Sequence, residues 1–270
     1  MINTPFNYTG GKYKLLEQLL PEFDYTKKYF VDLFAGGGSV YTNIVDKYDK
    51  VLVNDILIDL IGIHKELVNN SDNLVENVKS LCPVKGDKDG YNKLRESYNQ
   101  SPSADKLWAL MLCSTNNMLR FNKKFKYNQT YGQRLFNSST QKKVDEFVEH
   151  ITKYKDKIIF VSKHFNDIKI NKSSMVYIDS PYTGSGAGYN CYWNSDDDYK
   201  LYKYCKNLDN TGSSFMLSGI LGEHTKGKRW LLIDDLIKDG YKYKILNCNY
   251  EKVARNKNSK NSNEIIIMNY

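Results

Sequence analysis

At 270 residues, with 41% apolar and 26% charged side chains, the chain can bury one large core, or one core with an inserted or appended unit. No stretch approaches the ~20 apolar residues of a membrane-spanning helix, and Met1-Ile2-Asn3-Thr4-Pro5 lacks the charged and apolar regions of a secretory signal, which predicts a cytoplasmic protein without a membrane partner. Cys82, Cys113, Cys191, Cys205 and Cys248 are scattered, odd in number and without a CxxC pair, and the four histidines are dispersed, so reduced thiols and no metal site are expected.

In chain order, a short helix is expected over 14–20, closed by Pro21. Tyr29-Phe30-Val31-Asp32-Leu33-Phe34 reads as a strand running into Ala35-Gly36-Gly37-Gly38-Ser39, then a helix to about Val45, then a second strand over 50–55 that ends in Asp55. Strand, glycine turn, helix and strand open a doubly wound α/β sheet. Amphipathic helical patterns follow at 59–69, 72–81, 89–99 and 104–119, and 120–137 reads as a loop or hairpin around Gly132. Strand-like runs return at 157–161, 175–178, 213–217, 243–248 and 264–268, so a helical, basic insertion interrupts the α/β core between its second and third strands.

The formal net charge of +8 permits a polyanionic partner, and its distribution says more than its sum. From Lys106 to Val144 there is no acid but eight Lys or Arg, and a second acid-free basic stretch runs from Lys252 to Asn263. In the first stretch the cations alternate with Phe121, Phe125, Tyr127, Tyr131 and Phe136 and with the amides Asn122, Asn128, Gln129 and Gln133. Cations for phosphate, amides for base edges and rings for stacking point to nucleic acid rather than to a merely solvated face.

Three further features carry chemistry. Asp179-Ser180-Pro181-Tyr182 ends the apolar run Met175-Val176-Tyr177-Ile178. A carboxylate and the next carbonyl can each accept one hydrogen of an exocyclic amine, and a ring can stack on the base that bears it. The Gly36-Gly37-Gly38 turn lets a ligand approach the end of the first strand, and Asp55, 19 residues after Gly36, can accept from both hydroxyls of a ribose. That pairing fits an NAD domain or an S-adenosylmethionine (AdoMet) domain, since the glycines do not reproduce Gly-x-Gly-x-x-Gly; the amine clamp favours AdoMet. Phe6-Asn7-Tyr8-Thr9-Gly10-Gly11-Lys12 adds a glycine loop with a ring and a cation suited to a carboxylate.

With these motifs assembled, the chain resembles the Dam-type DNA adenine-N6 methyltransferases, especially phage-encoded members, over nearly its full length and in the family's order. The Tyr8–Lys12 loop comes first, then Asp32–Ser39, Asn54-Asp55, Asn117–Asn122, Tyr131-Gly132-Gln133-Arg134, His164-Phe165, Asp179–Tyr182 and Tyr189–Trp193. The resemblance implies a Rossmann-like AdoMet-dependent methyltransferase core, residues 1–58 and 155–270, with a mostly helical target-recognition domain inserted at 59–154 and a hairpin loop near 120–137. Tyr8, Lys12, Asp32, Phe34, Gly36, Gly38, Asp55, Phe165 and Asp179 would contact the cofactor. Asp179, Ser180, Pro181 and Tyr182 would carry catalysis on a flipped adenine. Arg120, Asn122, Lys124, Lys126, Tyr131 and Arg134 would contact double-stranded DNA, at a GATC or related site, with no obligate protein partner in a bacterial or phage-infected cell. The chain departs from the family at Ser180, where proline is usual, at Thr130, where proline is common, and at Phe125, where glycine is common. Ser180 leaves a catalytically weak or silent DNA-binding protein as the alternative. Cytosine-N4 or RNA-adenine methylation is a further one.

Overall fold

The computed structural model describes residues 1–6, 8–181, 193–222, 230–247 and 263–270. Strands Tyr29–Asp32 (β1), Lys50–Asn54 (β2), Ile158–Val161 (β3), Ser174–Ile178 (β4), Ser214–Leu221 (β5), Lys242–Ile245 (β6) and Asn263–Met268 (β7) form one seven-stranded sheet of order β3-β2-β1-β4-β5-β7-β6. β1 to β5 run parallel, and β7 lies antiparallel between β5 and β6. The expected Rossmann-like α/β architecture is therefore present. β4 is buried at all of its residues because helices cover both faces of the sheet, which is why Ser174-Met175-Val176-Tyr177-Ile178 reads as an unbroken apolar run rather than an alternating one.

Leu16–Leu19 (α1), Ser39–Ile44 (α2), Ile58–Asn69 (α3), Ser71–Leu81 (α4), Lys88–Gln100 (α5), Ala104–Cys113 (α6), Ser138–Ile151 (α7), Ser195–Asn210 (α8) and Leu231–Lys238 (α9) complete the described elements. No helix among the described residues is long and apolar enough to cross a membrane. α3 to α7 fall between β2 and β3, where the helical insertion is expected. α6 is buried on every face from Leu107 to Cys113 and packs against α3, α4 and α5, as an all-round apolar helix must. The same hydrophobic core runs without a break from Phe30 and Val51 of the sheet to Trp108 of α6 and Phe147 of α7. A second core, containing Leu33, Ile178, Phe215 and Ile267, lies with α8 and α9.

Two sequence expectations need correction here. The helix expected over 104–119 stops at Cys113, because Asn116 and Asn117 adopt left-handed φ of 59° and 54°, a conformation that asparagine tolerates and a helix does not. The turn of the following hairpin is at 122–126, not around Gly132: Phe121 pairs with Tyr127, and Asn122 Oδ1 accepts the N–H groups of Lys124 and Lys126 at 2.9 and 3.1 Å. Gly132 instead lies flat on the chain after α6. Its N–H donates to the Cys113 carbonyl at 2.8 Å, and a Cβ there would collide with the Ser114 carbonyl.

Strand order reverses between β1 and β4, which opens a crevice at their carboxyl ends. Asn54 sews that rim together. Its amide donates to the carbonyls of Leu33 and Lys163 at 2.9 and 3.1 Å, and its Oδ1 accepts the Lys163 N–H at 3.0 Å.

Candidate cofactor and catalytic pocket

A cavity of about 230 Å³ occupies this crevice. Tyr8, Lys12, Asp32, Phe34, Gly36, Gly38, Asp55, Phe165, Asp179, Ser180 and Pro181 all line it, although they come from segments up to 173 positions apart in the chain. Tyr182 lies outside the described residues, as do Tyr189–Tyr192.

The glycine turn is shaped by the protein itself as much as by any ligand. Gly36 and Gly38 have φ of +48° and +76°. A Cβ on Gly36 would stand 2.7 Å from Tyr8 Cε1, one on Gly37 2.6 Å from Tyr8 Cβ, and one on Gly38 2.6 Å from His64 Cε1. The glycines therefore admit Tyr8 and His64 at close range, a cause beside the ligand approach that the sequence suggests. His64, on α3, is fully buried. Burial drives its imidazole down to about 4, so it is neutral. Its Nε2–H then donates to the Gly36 carbonyl at 2.8 Å, and its Nδ1 accepts the Tyr41 hydroxyl at 2.9 Å. A single histidine on a helix gives no sequence signal for this job, because its partners are 23 and 28 positions away.

Acids dominate the cavity. Each Asp55 oxygen accepts one backbone N–H at 3.0 Å, Oδ2 from Gly36 and Oδ1 from Leu57, which aims the carboxylate from β2 at the glycine turn and leaves each oxygen a second lone pair. Burial raises its carboxyl, those N–H groups pulling it back. Asp179 pairs with Lys12 at 2.8 Å, and Lys12 also donates to the Gly10 carbonyl at 3.2 Å. Burial alone would lower the Lys12 ammonium, but Asp179, then Tyr177 and Glu264, hold it well above the usual lysine range. Burial likewise raises Asp179, with Lys12 opposing.

Asp32 is 1% exposed; its Oδ2 accepts the Tyr41 N–H at 3.3 Å and its Oδ1 has no hydrogen-bond partner among the described residues. Burial, and next the charge of Asp179, push its carboxyl up to about 8. An unfolded-chain aspartate titrates near ~3.9. Between about pH 4 and pH 8 the folded protein thus holds a proton that the unfolded chain has lost, and stability falls as pH rises through that window. Asp55 and Asp179 act with the same sign. Urea midpoints measured at about pH 5 and about pH 8 are expected to drop, and Asp32→Asn to shrink the drop.

The orphaned Asp32 oxygen, neutral until a cation displaces its proton, suits a ligand carrying positive charge among these buried carboxyls, and Asp55 suits a ribose diol. The AdoMet sulfonium and ammonium fit this set; the pyrophosphate of NAD does not. Phe34, Phe165 and Trp193 form a triangle of rings with centroids 5.5 to 5.6 Å apart at one wall, and the half-exposed Ile56 lines another part of it. Sequence reasoning did not single out Trp193 or Ile56 as site residues. Their role comes from ring contacts across distant segments and from adjacency to Asp55.

None of Arg120, Asn122, Lys124, Lys126, Tyr131 and Arg134 lines the cavity. They belong to the 114–137 segment beside α5 and α6. Arg134 donates to Asn117 Oδ1 at 2.7 Å, and Asn117 donates in turn to the carbonyls of Met111 and Leu112, which ties the arginine to the end of α6. Asn122 Oδ1 is spent on the turn, as above. Lys126 Nζ donates to the Asn99 carbonyl at 2.5 Å. Tyr131 packs 5.4 Å from Tyr91, and its hydroxyl accepts the Gly86 N–H at 2.8 Å.

The stacking expectation needs correction for two rings: Phe121 and Tyr127 are buried and pack edge-to-face at 5.7 Å as the hairpin's own core. Phe125 differs. It is 59% exposed at the hairpin tip, beside Lys123, Lys124 and Lys126, with a left-handed φ of 56°. A bulky side chain at such a φ costs about 1–2 kcal/mol. Phe125→Gly is therefore expected to stabilise the fold by about 1 kcal/mol, read as a higher urea midpoint.

A family profile described as D12 class N6 adenine-specific DNA methyltransferase matches residues 8–252. The chain is 28% identical over 284 residues to Modification methylase StsI of Streptococcus sanguinis and 29% identical over 287 residues to Type II methyltransferase M.FokI of Planomicrobium okeanokoites. Both alignments cover 100% of this chain but 43% of the relative, so the chain spans less than half the length of these proteins. Type II methyltransferase M.MjaIII of Methanocaldococcus jannaschii is 28% identical over 298 residues, covering 98% of this chain and 99% of that one. The methyl donor of such enzymes is AdoMet. With a profile that spans the glycine loop, the acidic cavity and the Asp179 strand end, the chain belongs to the D12 class of N6 adenine-specific DNA methyltransferases.

Proposed function

We propose that the chain methylates the N6 amine of adenine in a short duplex DNA site, of the GATC type or related to it, with the target base flipped out of the helix. The observation that carries this reading is Asp179, at the end of β4, on the wall of a cavity lined by buried carboxyls. AdoMet, when bound, supplies a methyl group on a positively charged sulfur. Tyr8, Asp32, Asp55 and Phe165 are the residues assigned to hold it, Asp32 through its orphaned oxygen and Asp55 through the ribose.

The chain's own part in catalysis is orientation and charge. The Asp179 carboxylate and the carbonyl of residue 180 accept the two amine hydrogens. That draws the nitrogen lone pair out of conjugation with the ring and supports the positive charge that develops on the amine. An adenine stacked in a duplex cannot reach the cavity, hence base flipping, with Tyr182 as the stacking partner. Residues 59–154 are assigned to target recognition, with Arg134 and Arg120 as candidates for bidentate contact with guanine.

A specific observation favours a second reading, a weak or silent enzyme. Ser180 is 4% exposed and its hydroxyl has no hydrogen-bond partner among the described residues, so the residue standing in for proline carries a buried cost beside the catalytic carbonyl. Ser180→Ala is expected to gain about 1 kcal/mol of stability by removing that group, and to retain methyl transfer because the backbone carbonyl stays. Transfer by Ser180→Pro but not by the unsubstituted protein would favour the silent reading. The primary test is incubation of duplex DNA with methyl-labelled AdoMet, followed by nucleoside chromatography. Label in N6-methyladenine is expected; label in N4-methylcytosine, or in RNA alone, would redirect the assignment.

A further inference from the structure

Asp198 stands in the first turn of α8, outside the cavity, and takes no part in the chemistry above. Its Oδ1 accepts the indole N–H of Trp193 at 2.6 Å and that of Trp230 at 2.9 Å. The two tryptophans arrive from different parts of the sheet. Trp193 immediately precedes the Asn194 cap of α8, on the connection that leaves β4. Trp230 is the residue before α9, on the connection that leaves β5. Trp230 packs close enough to β5 that a Cβ on Gly219 would stand 2.8 Å from its Cζ3.

Trp193 is a wall of the cofactor cavity, 5.6 Å from Phe34 at 75° and 5.5 Å from Phe165 at 38°. Those ring contacts restrict the plane of the indole but do not choose which edge faces the cavity. The N–H bond to Asp198 does choose, because a buried indole N–H turned away from its acceptor would lose a charge-assisted hydrogen bond. The adjacent acid, Asp197, has other work: its Oδ2 accepts the Asn194 N–H in a capping box, and its Oδ1 lies 3.3 Å from Lys200 and 3.9 Å from His164. Asp198 is thus aimed at the indoles rather than at the helix end. Burial raises its carboxyl, the two indole N–H groups pull it back, and the positive end of α8 favours the ionised form.

We propose that Asp198 is a positioning residue of the cofactor site: it fixes the rotation of Trp193 against Phe34 and Phe165, and so sets the affinity of that wall for AdoMet. The same oxygen locks that wall to the β5–α9 end of the sheet through Trp230. The inference rests on the proposed AdoMet function and deepens it.

Calorimetric AdoMet binding, together with steady-state methylation of duplex DNA, tests it. Asp198→Ala is expected to raise the AdoMet Kd and KM about tenfold, the loss of one charge-assisted hydrogen bond, with kcat at saturating AdoMet unchanged within about twofold. Asp198→Asn retains an acceptor oxygen and is expected to recover most of the affinity. Trp193→Phe keeps a ring but removes the N–H, so it should weaken binding comparably, and combining it with Asp198→Ala should add little further. A folded Asp198→Ala protein with a lowered melting temperature but unchanged Kd would overturn the inference. Should Asp198→Ala not fold, a Trp193→Phe protein that binds AdoMet as the unsubstituted chain does would overturn it equally. Unsubstituted protein that binds no AdoMet would sink the proposed function and the inference together; normal binding with unaffected variants would sink the inference alone.

Discussion

Asp179→Asn is expected to lower kcat by about 10²–10³-fold, the scale for losing a preorganised electrostatic partner of the transition state, with a smaller change in AdoMet affinity. Lys12 donates to Asp179 Oδ1 at 2.8 Å. An asparagine there must keep its one carbonyl oxygen toward that ammonium, which turns its NH2 toward the substrate amine, donor against donor. The substitution thus preserves shape and reverses the hydrogen-bonding sense. The same geometry gives a pH dependence. The ionised carboxylate is the stronger acceptor and alone carries the charge that supports a cationic amine, and burial holds Asp179 above the usual aspartate range even with Lys12 opposing. Activity should therefore fall on the acid side at a higher pH than an ordinary aspartate would give. Lys12→Met removes the opposing charge, so the acid limb is expected to move to still higher pH, read from kcat–pH profiles.

Gly38→Ala is the second large effect, and it falls on the fold of the site rather than on chemistry. Gly38 has φ of +76°, and a Cβ would lie 2.5 Å from Tyr41 Cε1 and 2.6 Å from His64 Cε1. Both rings are fully buried and bonded to each other, and His64 also holds the Gly36 carbonyl. They cannot retreat without releasing the turn. Left-handed strain of about 1–2 kcal/mol adds to overpacking of about 1–3 kcal/mol. At about 2–4 °C per kcal/mol for a domain near this size, the melting temperature should drop by roughly 10 °C, and AdoMet binding should be lost or severely weakened. Gly240 is the control: its φ is +88° but nothing among the described residues lies within 4 Å of an added Cβ. Gly240→Ala should cost only the strain of about 1–2 kcal/mol and leave AdoMet binding intact. Equal binding losses at both glycines would contradict this account of the turn.

Much of the site was legible because its residues sit at local breaks in pattern. Asp32, Asp55 and Asp179 each stand at or just past the carboxyl end of a strand, and strand ends show in sequence as apolar runs stopped by an acid. The glycine turn was legible too, though its cause was not: no local pattern tells that Tyr8 and His64 fill the space the missing Cβ atoms leave. Helix α6 was drawn too long because Met118 and Leu119 prolong an apolar pattern that the left-handed Asn116 and Asn117 have already broken. α8 carries a capping box at Asn194 and Asp197, yet the run of acids before its first apolar residue hid the helix. In the hairpin, Phe121, Phe125 and Tyr127 look alike as sequence. The turn that Asn122 builds decides which ring is outside. Trp193 gained its place through contacts with Phe34 and Phe165, 159 and 28 positions away, where spacing carries no information.

The central claim is transfer of a methyl group to adenine N6 in duplex DNA at a defined short site. Expression in a host lacking adenine methylation, followed by single-molecule sequencing of the plasmid for N6-methyladenine, tests it most directly. The account predicts modified adenines confined to one short motif, of the GATC type or close to it, and strongly depleted with Asp179→Asn. Folded, AdoMet-binding protein that leaves every adenine unmodified, or that modifies another base, would contradict it.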